Sequence, residues 1–329
     1  MPLYDNHGRP INYLRLAVTD RCNLRCTYCL PAHGVRYAPK HALLSYEEME
    51  RLVRILANLG VTKVRITGGE PFVRRDLLPF LQRISAVPGI HELHLTTNGV
   101  LTTPHVSQLK NLGIASVNLS LDTLDRERFL MITRRDDYAR VMQCFHRLLE
   151  VDVPTKINTV VMEGQNTEDI IPLAELTRRY PVSVRFIEEM PFNGQGRRVP
   201  LHWTHQKITA TLRNHYPDLL RVPDAPHSTA YHFRLPNSQG TIGVIAAYSR
   251  TFCGTCNRIR LTATGTLKTC LYDQGVLDVK QMMRQGATDE QLTQAFCKAF
   301  AQRARNGNVA ERQRGPANHI TESMSTIGG

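Results

Sequence analysis

Cys22-Asn23-Leu24-Arg25-Cys26-Thr27-Tyr28-Cys29 sets three thiols within eight residues, in the order C-x3-C-x2-C. A cubane [4Fe–4S] cluster takes cysteine thiolates as its usual ligands, one to each of its four irons. Three cysteines therefore leave one iron without a protein ligand and free to bind a substrate or cofactor. Zinc and a disulfide are the competing readings. Zinc prefers ligands in two separated pairs, and no fourth ligand lies nearby in the sequence. A disulfide leaves one thiol over and needs an oxidising compartment.

The residues before this loop alternate. Leu14, Leu16 and Val18 take one parity and Tyr13, Arg15 and Ala17 the other, which is the period of a strand. After the loop, Ser45 and Glu48 form a capping box for a helix over 45–59 that Gly60 closes. Strand signals recur at 62–67, 91–96, 116–121, 155–161 and 182–187, with helical patterns between them. Thr103-Pro104 opens one such helix, which Gly113 ends, and another starts at Tyr138. Strand–helix units in this series predict a parallel sheet with helices outside. The pattern fits an α/β fold, a partial, laterally open (β/α)6 barrel of TIM type. A flat doubly wound sheet is the alternative.

Parallel strands covered on both faces are near-continuous apolar runs, and barrel interiors are normally filled with Val, Ile and Leu. These strands differ. Their second parity carries Arg15, then Lys63, Arg65 and Thr67, then His94 and Thr96, Asn118 and Ser120, Lys156 and Asn158, and Ser183 and Arg185. With the apolar parity against the helices, this set lines a wet, basic lumen. A solvated antiparallel sheet would also alternate, but the helical patterns between the strands argue against it.

Hydrophobic residues make up 42% of the 329, enough for a full core without disulfides. No run of signal-peptide type opens the sequence and no stretch approaches about eighteen apolar residues, so the expectation is a cytoplasmic protein with no membrane partner. Its eight cysteines then read as metal ligands or core residues. The formal net charge of +12 suits an anionic partner or a generally basic surface, and position has to decide between them.

The texture changes after about residue 190, where Pro191, Gly194 and Gly196 mark a break. This divides the chain into a barrel region, 1–190, and a C-terminal region, 191–329, that closes the barrel. The second region suggests a helix near 203–215, strand-like pieces at 230–235 and 241–247, a hairpin over 258–271 turning at Thr264-Gly265, and two helices, the second capped by Thr288 and Gln291. It carries a second triad, Cys253, Cys256 and Cys270, spaced C-x2-C-x13-C. Spacing alone favours a zinc ribbon with its fourth ligand elsewhere. A second open-site cluster is the other reading, and the first triad favours it. Arg258 and Arg260 project to one face of a strand beside this triad, where arginine's fork suits an anion or a purine edge. Gly68-Gly69-Glu70-Pro71 follows the second strand, where a glycine backbone can approach a ligand closely. Cys144 and Cys297 read as buried thiols, and His202 and His205 as surface histidines rather than a metal pair.

The first triad, with Tyr28 and the Gly-Gly-Glu-Pro turn, resembles the radical S-adenosylmethionine superfamily. The second triad, Arg258-Ile259-Arg260 and the terminal Gly328-Gly329 extend the resemblance from Tyr13 to Gly329. They narrow it to the branch that cyclises GTP in the first step of molybdenum cofactor biosynthesis. Glu189, where an apolar residue is expected, is the one departure.

The resemblance implies two [4Fe–4S] clusters. Cys22, Cys26 and Cys29 would hold the first, its open iron chelating the amino and carboxylate groups of S-adenosylmethionine. Cys253, Cys256 and Cys270 would hold the second, its open iron toward guanine. Tyr28, Gly69, Ser120 and Met190 match positions that line the S-adenosylmethionine site. Arg15, Arg65, Thr96, Lys156, Arg258, Ile259 and Arg260 match positions that contact GTP. The implied reaction is a lyase-type radical cyclisation: S-adenosylmethionine is reductively cleaved, hydrogen leaves C3′ of GTP, and C3′ closes on C8 to give 3′,8-cyclo-7,8-dihydro-GTP. The implied partners are a low-potential electron donor and, as next enzyme, cyclic pyranopterin monophosphate synthase. A monomer or homodimer without nucleic acid is expected, with the Gly-Gly tail entering the active site. Two other classes compete. One is a radical enzyme with an auxiliary cluster that modifies peptide or RNA, although peptide-modifying relatives usually carry more than three cysteines there. The other is a non-enzymatic zinc protein that binds nucleic acid through its charge.

Overall fold

The alternating segments become strands where their period predicts. The computed structural model describes residues 3–196, 200–315 and 320–329. Its first strands are β1 (Tyr13–Ala17), β2 (Lys63–Thr67), β3 (Glu92–Thr97), β4 (Ser116–Ser120), β5 (Thr155–Val161) and β6 (Ser183–Glu188). Between them lie α1 (Tyr46–Asn58), α2 (Leu77–Ser85), α3 (Val106–Asn111), α4 (Arg126–Thr133), α5 (Tyr138–Glu150) and α6 (Ile170–Arg179). The capping box of α1 forms as read: Ser45 Oγ accepts from Glu48 N at 3.1 Å and Glu48 Oε2 accepts from Ser45 N at 2.7 Å. α4 has no clear apolar stripe, since Leu130 and Met131 are exposed. It starts instead on a local cap, Asp125 accepting from Arg128 N at 2.7 Å.

β1 to β6 pair side by side and parallel. The second region contributes α7 (His205–His215), β7 (Leu220–Arg221), β8 (Ala230–Arg234), β9 (Thr241–Ile245), β10 (Arg258–Leu261), β11 (Thr266–Lys268), β12 (Leu277–Asp278), α8 (Val279–Arg284), α9 (Asp289–Phe300), α10 (Gly307–Arg312) and α11 (Met324–Ile327). Its strands continue the same sheet on both flanks. β9 runs parallel to β6 and β10 parallel to β1. Antiparallel hairpins, β8 with β7 and β11 with β12, finish the two edges. The order is β12-β11-β10-β1-β2-β3-β4-β5-β6-β9-β8-β7, so the barrel is open laterally, as predicted. Residues 246–257, which join β9 to β10, cross from one flank to the other and carry Cys253 and Cys256.

Register fixes the two faces, because neighbours in a parallel sheet point the same way. Leu14 lies between Ile259 and Val64, Leu95 between Ile66 and Val117, and Val184 between Ile157 and Ile242. All are buried in the main core against the helices. Each contributes about 1.5–3 kcal/mol by leaving water. The opposite face aligns Arg15 between Arg260 and Arg65, Asn118 between Thr96 and Lys156, and Asn158 between Ser120 and Arg185. This is the polar parity read from the sequence, now one continuous surface.

The two regions are fastened at the end of β6. Glu188 is fully buried. Its carboxylate accepts from the backbone N–H of His205 (2.7 Å), Tyr248 (2.9 Å) and Ser249 (2.7 Å) and from the Ser249 hydroxyl (2.7 Å), while His205 Nδ1 lies 3.0 Å away. Glu188→Ala strands several buried donors. It is expected to lower unfolding free energy by about 3 kcal/mol in a urea titration, more than the loss of one ordinary hydrogen bond.

Candidate active site

Strand direction sorts the functional side chains into two ends. The first cysteine loop leaves the C-terminal end of β1, and Gly69, Asn98, Asp122 and Met190 follow the C-terminal ends of β2, β3, β4 and β6. Cys22, Cys26 and Cys29 line one cavity of about 170 Å³ together with Tyr28, Gly69, Ser120, Met190 and Thr96. Cys256 precedes β10, which is parallel to β1, and Cys270 follows β11, which is antiparallel to it. The second triad therefore lies at the opposite, N-terminal end of the strands. The basic parity lies between the triads.

The first loop is shaped by its neighbours. A Cβ on Gly69 would stand 2.2 Å from the Arg21 carbonyl oxygen, and one on Gly68 2.5 Å from that of Thr19. The glycines are thus required by the cysteine loop packing onto this turn, as well as by the cavity that Gly69 lines. From the other side, Thr133 O and Ile132 O of α4 accept from Arg25 N and Thr27 N at 3.0 and 2.9 Å. Arg134 Nη1 donates to the carbonyls of Arg25 and Leu30, both at 2.9 Å. Glu70 is fully buried. Its oxygens accept from Asn98 N (2.7 Å), Thr97 Oγ1 (2.9 Å) and Phe72 N (3.2 Å), and burial pushes its carboxyl up to about 7. Asn98 in turn points its amide at Cys22 Sγ, 3.7 Å away. Burial raises all three thiols, Cys22 to about 12. For Cys29 the Ser323 hydroxyl and the N–H groups of Ser325 and Met324 pull the other way. Tyr28 OH donates to Asp122 at 3.0 Å, and burial lifts Asp122 to about 6.

At the other end Arg303, 3% exposed, gathers the second triad. It donates to the carbonyls of Thr269 (2.9 Å), Cys256 (2.9 Å) and Arg258 (2.8 Å), and its Nη2 lies 3.2 Å from Cys256 Sγ. Arg258 Nη2 approaches the same sulfur at 3.3 Å. Burial pushes the Cys256 thiol up, but the Arg258 and Arg303 charges outweigh it and bring the group down to about 6. Cys270 is raised by burial to about 11. Arg9 adds a strap from the N-terminal segment, bonding the Cys253 carbonyl at 2.9 Å.

Between the triads the lumen is cationic. Burial and then the charges of Arg185, Arg65 and Lys63 lower Lys156 to about 8. Burial and the Arg260 charge push Arg15 well down from its ordinary value. Tyr13 shares this face. Burial raises its phenol, but Arg65, Arg15 and Lys63 bring it down to about 8, and Arg65 Nε donates to it at 2.5 Å. Several buried atoms here lack a protein partner: Arg15 Nε, Thr67 Oγ1, Thr96 Oγ1, Asn118 Oδ1, Asn158 Oδ1 and Arg185 Nε. Buried polar atoms are rarely left so, and their concentration on one face marks a ligand-shaped polar space.

The sequence-read residues thus converge in two groups. Tyr28, Gly69, Ser120, Met190 and Thr96 share the cavity of the first triad. Arg15, Arg65, Lys156, Arg258 and Arg260 share the basic face. Ile259 differs: its side chain is fully buried on the apolar face beside Leu14, which leaves only its backbone toward the lumen side. Asp122, Asn98, Tyr13 and Arg303 carry no motif that singles them out in the sequence. Asp122 follows the polar parity of β4 by two residues and is within reach of that signal; Arg303 sits past the end of α9, where no period exists.

Among the described residues no three Cys, His, Asp or Glu side chains converge as tightly as a single metal ion needs. A cubane has a wider footprint and takes N–H donors to its sulfurs. Asn98, Arg258, Arg303 and Gly307 N, the last 3.5 Å from Cys253 Sγ, are so placed. The donor sets fit clusters. The tail also enters: Arg260 Nη1 donates to the Gly328 carbonyl, and Gly329 lines the first cavity.

The chain matches the Radical SAM superfamily over residues 16–177 and Molybdenum Cofactor Synthesis C over 182–309. It is 42% identical over 300 residues to the GTP 3′,8-cyclase of Syntrophomonas wolfei, covering 89% of this chain and 91% of that one. It is 38% identical to molybdenum cofactor biosynthesis protein 1 of Homo sapiens over 92% of this chain, which spans only 48% of the human protein. In fold it is similar to Streptococcus suis SuiB bound to S-adenosylmethionine, with a TM-score of 0.62 and 17% identity over 88% of this chain and 65% of that one.

The lumen is expected to bind inorganic tripolyphosphate, with affinity highest below pH 8. With Lys156 and Tyr13 both brought down to about 8, deprotonation neutralises the first and makes the second an anion, and each step lowers the lumen's charge by one. Affinity measured by calorimetry should fall as pH rises through this value. The fall should be shallower in Lys156→Arg, whose guanidinium stays charged.

Proposed function

Since the chain belongs to the GTP 3′,8-cyclase family of the radical S-adenosylmethionine superfamily, we propose that it converts GTP to 3′,8-cyclo-7,8-dihydro-GTP, the first step of molybdenum cofactor biosynthesis. Its cofactors are two [4Fe–4S] clusters and S-adenosylmethionine. One observation carries the reading: two thiol triads face each other across a single basic lumen, with unpartnered polar atoms between them.

Cys22, Cys26 and Cys29 hold the first cluster, and Cys253, Cys256 and Cys270 the second. Bound there, the first cluster and S-adenosylmethionine supply one-electron chemistry able to break a C–H bond. The chain's own work is placement and exclusion of water. Tyr28, Gly69, Ser120 and Met190 border the cofactor, with the Asn158 and Thr96 oxygens free to bond its polar groups. Phe129, Val160, Ile187 and Met324 give the cavity an apolar wall that keeps solvent from a reactive species. Arg15, Arg65 and Lys156 take the triphosphate, joined by Arg185 from the same face. Arg258 and Arg260 orient the base beside the second cluster. An external low-potential donor supplies electrons, and cyclic pyranopterin monophosphate synthase takes the product. Among the described residues no helix is long and apolar enough to cross a membrane.

Anaerobic reconstitution is expected to load about eight irons and eight sulfides per chain, and Cys22, Cys26 and Cys29 changed together to Ala should leave about half. The loaded enzyme is then given S-adenosylmethionine, reductant and each nucleotide in turn. 5′-Deoxyadenosine and a cyclised nucleotide should appear together with GTP alone. Full iron retention in the triple variant, or equal cyclisation of ATP, would count against the reading. Lys156→Ala should weaken GTP binding at least tenfold while S-adenosylmethionine cleavage without substrate persists.

The tail gives a separate outcome. Removing Gly328 and Gly329 should spare both clusters and 5′-deoxyadenosine formation but cripple cyclisation. Full-length ratios of the two products in the truncated chain would reduce the tail to a mere terminus.

A further inference from the structure

Residues 320–329 lie beyond both matched family regions, 16–177 and 182–309, yet they are tied down at several points. The Glu322 carboxylate meets Lys268 Nζ at 2.6 Å and Arg314 Nη2 at 2.6 Å. Lys268, at 1% exposure, is a buried cation two residues before Cys270. Such a pair is firmly placed, because separating it would leave an uncompensated buried charge. The next residue turns to the other triad. Ser323 Oγ lies 2.8 Å from the Cys29 carbonyl and 3.6 Å from Cys29 Sγ. The N–H groups of Met324 and Ser325 favour the Cys29 thiolate, while donating to Phe192 O and Ser323 Oγ, each at 3.1 Å. Backbone pairing fixes this placement, Gly194 N donating to Glu322 O at 3.2 Å and Met324 N lying 3.1 Å from Phe192 O.

We propose that Glu322–Ser325 form the outer wall of the first cluster's site, the Ser323 hydroxyl holding Cys29 by its carbonyl and the Met324 and Ser325 N–H groups turned toward its thiolate. The site is then completed by both ends of the chain, and Glu322 ties that wall to the end of β11, two residues before Cys270 of the second triad. This rests on the first triad holding a cluster, as proposed above. Hydrogen bonds to ligand sulfurs and shielding from solvent set the potential of an iron–sulfur cluster, and partners one layer out orient the ligands. A donor lost from a thiolate destabilises the reduced, more negative state most. The potential must fall, and the exposed cluster must be lost sooner in air. Ser323 and Glu322 are positioning residues, since their effect passes through Cys29.

The test uses the full chain with Cys253, Cys256 and Cys270 changed to Ala, so that iron and spectra report the first cluster alone. About four irons per chain and the electron paramagnetic resonance signal of the reduced form establish loading. A redox titration followed by that signal then compares Ser323→Ala, Ser323→Thr and Glu322→Gln. Ser323→Ala and Glu322→Gln are expected to titrate at more negative potential and to lose iron in air several-fold faster. Ser323→Thr, which keeps the hydroxyl, should titrate with the parent. If Ser323→Ala fails to load, Glu322→Gln, with every Cys29 donor still present in the sequence, gives the same reading. A loaded cluster whose potential and air stability match the parent in both variants overturns the wall alone. A parent chain that holds no iron overturns the cluster assignment and the wall with it.

Discussion

The structure depends on holding like charges together on the inner face of one sheet. Arg15 stands in register between Arg65 and Arg260, and Lys156 follows further along the same face. Burial and mutual repulsion depress Lys156, Arg185 and Arg260, the last two to about 10. Guanidinium groups do not deprotonate in proteins, so this repulsion is carried by the fold. Part is offset locally: Arg65 donates to Tyr13 OH at 2.5 Å and to Leu95 O at 3.2 Å, and Arg260 to Gly328 O. Most is offset across the sheet, where the alternate residues of the same strands are buried at 0–4% exposure against the helices. A polyanion in the lumen relieves the repulsion, and so stabilises the folded chain by ordinary linkage.

This tension explains why so much is legible in the sequence. An apolar parity and a polar parity on one strand cannot both face core, so the alternation of Arg15, Arg65, Thr96, Asn118 and Lys156, taken with the helical patterns between the strands, points to a lumen. Cysteine spacing and capping boxes are local too, and Ser45–Glu48 and Thr288–Gln291 both form as read. Other features depend on distant partners and leave no local trace. Nothing near Arg258 in sequence says that β10 will pair with β1, or that β9 will extend β6. Arg303 and Glu188 look like ordinary charged residues until their many donors and acceptors are assembled around them. Gly68-Gly69 stands out for a ligand's sake; a second reason, the carbonyls of Thr19 and Arg21, belongs to the cysteine loop.

An open barrel has to be walled where its sheet stops. Strand pairing does not do it, because the edges β12 and β7 stay apart in the ladder. Irregular segments do it instead, and these need their own anchors. Residues 246–257 are held by Glu188 at one end and by Arg250, whose guanidinium lies 3.6 Å over the Tyr272 ring. The tail is held by a small second core of Phe192, Tyr272, Ala310, Ile320 and Ile327.

That second core decides which part of the tail is free to respond to a ligand. Ordering a residue opposes docking by about 1–2 kcal/mol, and burying Ile327 returns about 1.5–3 kcal/mol. Ile327 and the Glu322 ion pairs together hold the residues between them against the barrel mouth. Beyond Ile327 the balance changes. Gly328 sits at φ +82°, and a Cβ there would stand 2.5 Å from Thr67 Oγ1. Only glycine fits, yet glycine loses the most freedom on ordering, and Arg260 supplies the tip's side-chain anchor at the Gly328 carbonyl. Under the function proposed above, the substrate base competes for that same guanidinium. The tip is therefore the part of the tail most readily exchanged for substrate, while the segment against Cys29 keeps its place.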